Sequence, residues 1–189
     1  MSALTRELRV QAGSQVSFAT GVAPTVQLRG IEELMLRSKN NVLMLEDMSL
    51  GLAGASQAMV AGIGGEGSVK AWCSYEHLAY WLDNMFGQAT PSGAGPYVRA
   101  YAAPIASAPT PRILSLVKGT SIGAYQLVGG LLSSLSLRLE QESALMLNGD
   151  LVGNKVATDA LESLADVSVN PIMANQVASI YWDNWAGTM

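Results

Sequence analysis

The chain has 189 residues, 49% of them apolar and 14% charged, and its 11 basic and 15 acidic side chains leave a net charge of −4. The apolar content excludes intrinsic disorder, the length allows one domain with a real core, and the acidic balance excludes a conventional nucleic-acid reader held by counterion release. Cys73 and His77 are the sole cysteine and histidine, which excludes an intramolecular disulfide, a multi-cysteine zinc site and two-histidine ligation within one chain; a charge content below the usual figure of about 25% points to surface hidden in an assembly.

Met1 to Gln11 carries Arg6, Glu7 and Arg9 and no apolar h-region, so no secretory signal is expected and synthesis in a cytoplasm is the default. Ser14 to Phe18 alternates polar and apolar residues, and Thr25 to Arg29 does so again after Pro24, which predicts two half-buried strands. Leu34–Leu36 and Val42–Leu45 flank the polar cluster Ser38-Lys39-Asn40-Asn41, the pattern of a hairpin turn, with one short helical turn over Ile31 to Leu36 as the alternative. Gln57–Ile63 and Ser68–Cys73 flank Gly64-Gly65-Glu66-Gly67, a second hairpin signal.

The clearest helix is Tyr75 to Phe86. Leu78, Trp81, Leu82, Met85 and Phe86 fall at helical spacing and form its expected core face, with Ser74 as N-cap and Gly87 just past the end. Residues 88–111 follow as long Gly/Pro-rich loops around a short strand, and loops of that length are usually functional or order on assembly. The strongest strand pattern comes late: Leu135 to Glu140 alternates strictly, Gln141-Glu142-Ser143 turns, and Leu145 to Leu151 alternates back. Ala157 to Asp166 reads as weakly helical and Val177 to Trp182 as a final strand. Two charge-free stretches, Met48–Gly65 and Gly119–Leu137, approach the length of a membrane span, but glycine, serine and glutamine interrupt both, so they read as strands and turns.

The chemistry-bearing motifs are weak. Gly62 to Gly67 matches G-x-G-x-x-G, yet a strand follows it where a dinucleotide site needs a helix. Gly119-Thr120-Ser121-Ile122-Gly123 matches G-x-S-x-G, but no histidine lies downstream of Ser121 to act as base, which favours a glycine-rich turn. Cys73 and His77 read as a small buried hydrophobe beside a helix-surface histidine. The carboxylate clusters Glu32-Glu33, Glu46-Asp47 and Glu140 with Glu142 lack a general-acid context and read as solvated or interface charge. No catalytic residue, cofactor site or metal site is assigned, and an enzyme is not expected.

The order of these elements resembles the major tail tube proteins of long-tailed, non-contractile bacteriophages. The resemblance is carried by Gly65-Glu66-Gly67-Ser68-Val69 with Tyr75-Glu76-His77-Leu78-Ala79-Tyr80-Trp81-Leu82 and Gly87, and by Tyr125 through Gly130 into Leu137 with the return strand to Gly153. Gln27-Leu28-Arg29-Gly30 and Asn170-Pro171-Ile172 match more weakly. It implies a single mainly β domain over 1–189, a β-sandwich or barrel-like fold with one flanking amphipathic helix. It also implies a structural virion protein, made in the host cytoplasm, whose hexameric rings stack into a tube that conducts genome DNA. The implied partners are further copies of itself and the tape measure, tail-tip and tail-terminator proteins; DNA passes without specific binding, and no membrane is involved.

On this reading the polar strand faces supply candidate lumen-facing or solvent-facing residues, Ser134, Ser136, Arg138, Glu140, Asn148 and Asp150. An acidic bore would repel phosphate. The loops supply candidate inter-subunit contacts at Thr90, Pro91, Pro96, Tyr97, Pro104, Pro109 and Pro111. Proteins of this type continue past a strand like Val177–Trp182, so truncation at the C-terminus is an expectation. The alternative is a soluble β-sandwich module that binds a ligand through aromatics such as Trp182, Trp185, Tyr97 and Tyr101.

Overall fold

The computed structural model describes residues 8–46, 55–94, 98–102, 110–166 and 168–174. Among them, eight strands and one helix follow in the order β1 (Arg9–Gln15), β2 (Val26–Leu28), β3 (Ile31–Glu46), β4 (Ala55–Trp72), α1 (Tyr75–Phe86), β5 (Ile113–Thr120), β6 (Gly123–Arg138), β7 (Met146–Gly153) and β8 (Lys155–Asp159). The fold is mainly β, as expected, and the predicted helix has the expected bounds. Ser74 caps it by accepting the His77 amide, and the Gly87 amide closes its end on the Asp83 carbonyl.

All strand pairs are antiparallel, in the order β2-β1-β5-β6-β7-β4-β3, with β8 also on β6. The long strand β6 serves two halves of the sheet. Its first half pairs with β5 and β8, and its second half, from Leu131 to Arg138, pairs with β7. The change of direction falls at Gly129, whose φ is +72° and where a Cβ would lie 2.5 Å from the Phe18 carbonyl oxygen, so a side chain is excluded on both counts. The same bend separates β7 from β8, where the Asn154 amide donates to Val128 O at 2.8 Å.

The two halves curl toward one another and enclose a common core. Val10, Ala12, Leu116 and Leu127 come from one half, and Leu34, Val69, Ala71, Leu147 and Leu151 from the other. Leucines buried this completely each contribute about 1.5–3 kcal/mol relative to exposure. Gly65 of β4 lies inside this contact, since a Cβ there would meet Leu127 Cδ1 at 2.5 Å. The outer face of the first half is covered as well, and by polar means. Gln11 exchanges two hydrogen bonds with the Glu162 backbone, Gln15 bridges Thr20 O and the Gly129 amide, and Gln126 donates to Val22 O.

Several expectations are corrected. The turns at Ser38–Asn41 and Gly64–Gly67 do not exist: both segments lie inside β3 and β4, which pair as one long hairpin from Ile31↔Ala71 to Glu46↔Ala55, with register shifts at Ile31/Glu33, Asn41/Val42 and Leu45/Glu46. A polar or glycine-rich composition serves an exposed ribbon as well as it serves a turn. Ala157–Asp166 is not helical; it begins in β8 and continues without regular secondary structure, because β6 offers a ladder to its first residues and Gln11 holds the Glu162 backbone. The first strand starts earlier than expected and stops at Gln15, leaving Val16 to Phe18 in a bend. The turn at Ser121-Ile122 and the hairpin between β6 and β7 are where the sequence placed them. The expected strand Val177–Trp182 lies outside the described residues.

Candidate assembly surface

The second half of the sheet, β6-β7-β4-β3, buries one face and leaves the other exposed. Along β7 the alternation puts Leu147, Gly149 and Leu151 inward and Asn148, Asp150 and Val152 outward. Register then aligns outward residues across all four strands. One row runs Ser136, Asn148, Lys70 and Glu33, and the next Ser134, Asp150, Ser68 and Met35. The six candidate strand residues are all exposed, and Ser134, Ser136, Asn148 and Asp150 line one shallow depression on this face. Arg138 and Glu140 pair with each other at the end of the β6–β7 hairpin.

The charges on this face are interleaved rather than uniformly acidic. Lys70 meets Glu32 at 2.7 Å, Lys39 meets Glu66 at 3.4 Å, and Asp150 accepts from the Ser134 hydroxyl at 2.7 Å. The Glu32 carboxylate beside it raises the Lys70 ammonium above its ordinary value.

Both margins of this half-sheet are strand edges. On one side β3 pairs, among the described residues, only with β4. On the other, β5 leaves β6 near Gly130, and α1 takes over its place for one step. Asn84 donates to Gly130 O at 2.9 Å and accepts the Leu132 amide at 2.6 Å. Beyond Leu132 the β5-side edge of β6 pairs with no strand among the described residues.

The third feature is the outer part of the β3–β4 hairpin. Past Gly65, where pairing of β4 with β7 ends, the two strands continue as a ribbon with no third strand among the described residues. At about 3.4 Å per residue it projects roughly 30 Å. Val42, Leu43, Met59, Val60 and Ile63 on it are each more than half exposed. Sequence reasoning missed this apolar arm because it divided the ribbon at two supposed turns; the apolar residues on both sides of each polar cluster were the available signal.

The helix side is packed differently from its leucine periodicity. Trp81 is buried, whereas Leu78, Leu82, Met85 and Phe86 are half-buried, and Leu78 and Leu82 line a groove shared with Tyr75, Pro91, Arg99 and Tyr101. The face turned inward also carries His77, Asp83 and Asn84. His77 is not the surface histidine expected. It is buried, its Nδ1 accepts the Arg29 amide at 3.2 Å, and burial pushes its pKa below the ordinary value. Cys73 is buried as expected, and burial raises its thiol to about 11.

Asp83, 1% exposed, binds the loop region to the helix. It accepts from Tyr101 Oη at 2.7 Å and from the Ala89 amide at 3.2 Å, and it meets Arg112 Nη1 at 3.3 Å. Burial and this carboxylate push the Tyr101 phenol up to about 12. Tyr101 is thus engaged internally rather than presented for stacking. Of the loop candidates, Thr90 and Pro91 are exposed and Pro111 is half-buried. Pro96, Tyr97, Pro104 and Pro109 lie outside the described residues, as do Trp182 and Trp185. The short strand expected within 88–111 is represented among the described residues by the bridge between Ser92 and Val98.

Among the described residues no cluster of three or more His, Cys, Asp or Glu is placed to hold a metal ion, and no helix is long and apolar enough to cross a membrane.

No family model and no curated protein matches the chain. Among solved structures it is similar to a chain of the SPP1 tail tube, determined by solid-state NMR and cryo-EM, with 10% identity and a TM-score of 0.48 over 82% of this chain and 79% of that one. It is also similar to a chain of the virion of a native gene transfer agent particle, with 5% identity and a TM-score of 0.48 over 84% of this chain and 100% of that one.

Proposed function

We propose that this chain is a structural subunit of a tail tube of the long-tailed, non-contractile phage type, closing into hexameric rings that stack into a conduit for DNA. The observation that carries the reading is the pair of strand edges on either side of the polar half-sheet. In the antiparallel order β6-β7-β4-β3 the outer strands run in opposite directions. Copies related by rotation about an axis along the strands therefore present β6 of one to β3 of the next in antiparallel orientation. Such pairing is heterologous and closes into a ring, which also removes edges that would otherwise template aggregation.

The polar rows through Asn148 and Asp150 then continue from copy to copy and line the bore. Serine, asparagine and paired charges there give DNA phosphates no basic stripe to hold, consistent with passage rather than binding. The apolar arm extends beyond the ring and is suited to bury Val42, Leu43, Met59, Val60 and Ile63 against the next one, since a two-stranded ribbon alone is marginal in water. The sequence resemblance supports the same reading, with the tape measure, tail-tip and tail-terminator proteins as further partners and the virion as location.

Negative-stain electron microscopy of the purified chain over a range of concentrations tests it. Hollow rings or tubes are expected. A monomer at every concentration, confirmed by sedimentation, would overturn the proposal.

A further inference from the structure

The sheet curls far enough that the ammonium of Lys118, on β5, donates to the carbonyl oxygen of Leu34, on β3. These two strands do not pair as a ladder among the described residues, so this side-chain bond links them outside the sheet's own pairing, above the shared core of Leu34, Leu114 and Leu116. Lys118 also lines a cleft of about 370 Å³ with Leu8, Met35 and Leu36 of β3, Gly119 and Tyr125. We propose that Lys118 is a displaceable plug on the β3 edge, which blocks strand addition in the free subunit and gives way to the β6 edge of a second copy. The inference rests on the edge pairing of the proposed function and adds a control on when that pairing happens.

Three observations support it. First, lysine at a sheet edge opposes pairing, because an incoming strand must either desolvate the ammonium or move it. Second, the plug is weakly held. Lys118 is half-buried, its acceptor is a neutral carbonyl, and no carboxylate lies within ion-pair distance of it among the described residues. A strand that supplied a backbone donor to Leu34 O would free the ammonium to reach water on its flexible stem. Third, the occupant is defined by polarity and pattern. The β6 edge of a second copy runs antiparallel to β3 and carries Ser134 and Ser136, which extend the rows ending at Met35 and Glu33.

The test uses a fluorescein-labelled peptide with the sequence of residues 131–138, titrated by anisotropy into the full chain. Lys118→Met is expected to bind at least tenfold more tightly than wild type. Lys118→Arg, which keeps the donor, and Lys155→Met, which removes a lysine elsewhere, are expected to bind like wild type. Lys118→Gln shortens the donor and serves if the methionine variant does not fold; it is expected to move in the same direction. Equal affinity for wild type and the Met or Gln variant, or binding by none of them, overturns the plug. Microscopy of the same samples reads assembly separately: tubes with equal peptide affinities would leave the tail reading standing without the plug, and tighter binding by the variant without tubes would do the reverse.

Discussion

The side-chain oxygen of Asn84 accepts the Leu132 amide at 2.6 Å while its nitrogen donates to the carbonyls of Gly130 and Arg112, so one amide group on α1 stands where β5 has left β6. A side chain that mimics backbone pairing lets the strand edge pass under the helix without orphaned polar groups. It also fixes where the free part of the β6 edge begins.

Replacing Asn84 with alanine strands these buried groups. The expected loss is about 2–4 kcal/mol of unfolding free energy, from several unsatisfied groups at about 1–3 kcal/mol each with partial relaxation. Urea denaturation of Asn84→Ala against wild type checks this. A loss below 0.5 kcal/mol on the order of surface substitutions would mean that α1 is not held to β6 in this way.

His77 predicts a pH dependence. Its neutral ring accepts the Arg29 amide, and burial depresses its folded pKa below the ordinary 6.5, with Glu76, Arg29 and Tyr80 as the ionisable neighbours. As the pH falls below 6.5 the unfolded chain takes up the proton first, so stability is complete above that value and declines toward the lower folded pKa. His77→Gln retains an acceptor and does not titrate. Its denaturation midpoint should vary less than that of wild type between about pH 6.5 and 5, above the range in which carboxylates titrate.

The thiol of Cys73 should be silent in the native state. It is 3% exposed and its pKa is pushed up to about 11 by burial, so at pH 8 it is both inaccessible and protonated. Labelling with a disulfide reagent should be slow in buffer and rapid in denaturant, at one thiol per chain. Fast labelling of the folded protein would contradict the packing of β4 into α1.

The arm should matter for assembly and not for folding. Val60 is 59% and Ile63 66% exposed, so Val60→Asp with Ile63→Lys should change monomer stability by no more than about 0.5 kcal/mol each. The same double variant should lose stacked tubes in the microscope while still forming single rings. Tubes of wild-type length would show that the arm does not join rings.

Sequence periodicity determined those parts of the fold in which each residue's environment follows from its neighbours along the chain. The helix bounds are such a case, since Ser74 and Gly87 act within one turn, and so is the β6–β7 hairpin, where a period of two and a polar turn occur together. Tertiary structure decided the rest. Ser38–Asn41 and Gly64–Gly67 have the composition of turns, and only their pairing partners make them strand. His77 is buried because an amide 48 residues earlier in the chain comes to meet it. The leucine stripe of α1 faces a groove because the more polar side, with Trp81, Asp83 and Asn84, has buried partners to satisfy. Which strands end the sheet, and so where another copy can join, depends on the order of pairing in space, a property that no local stretch of sequence contains.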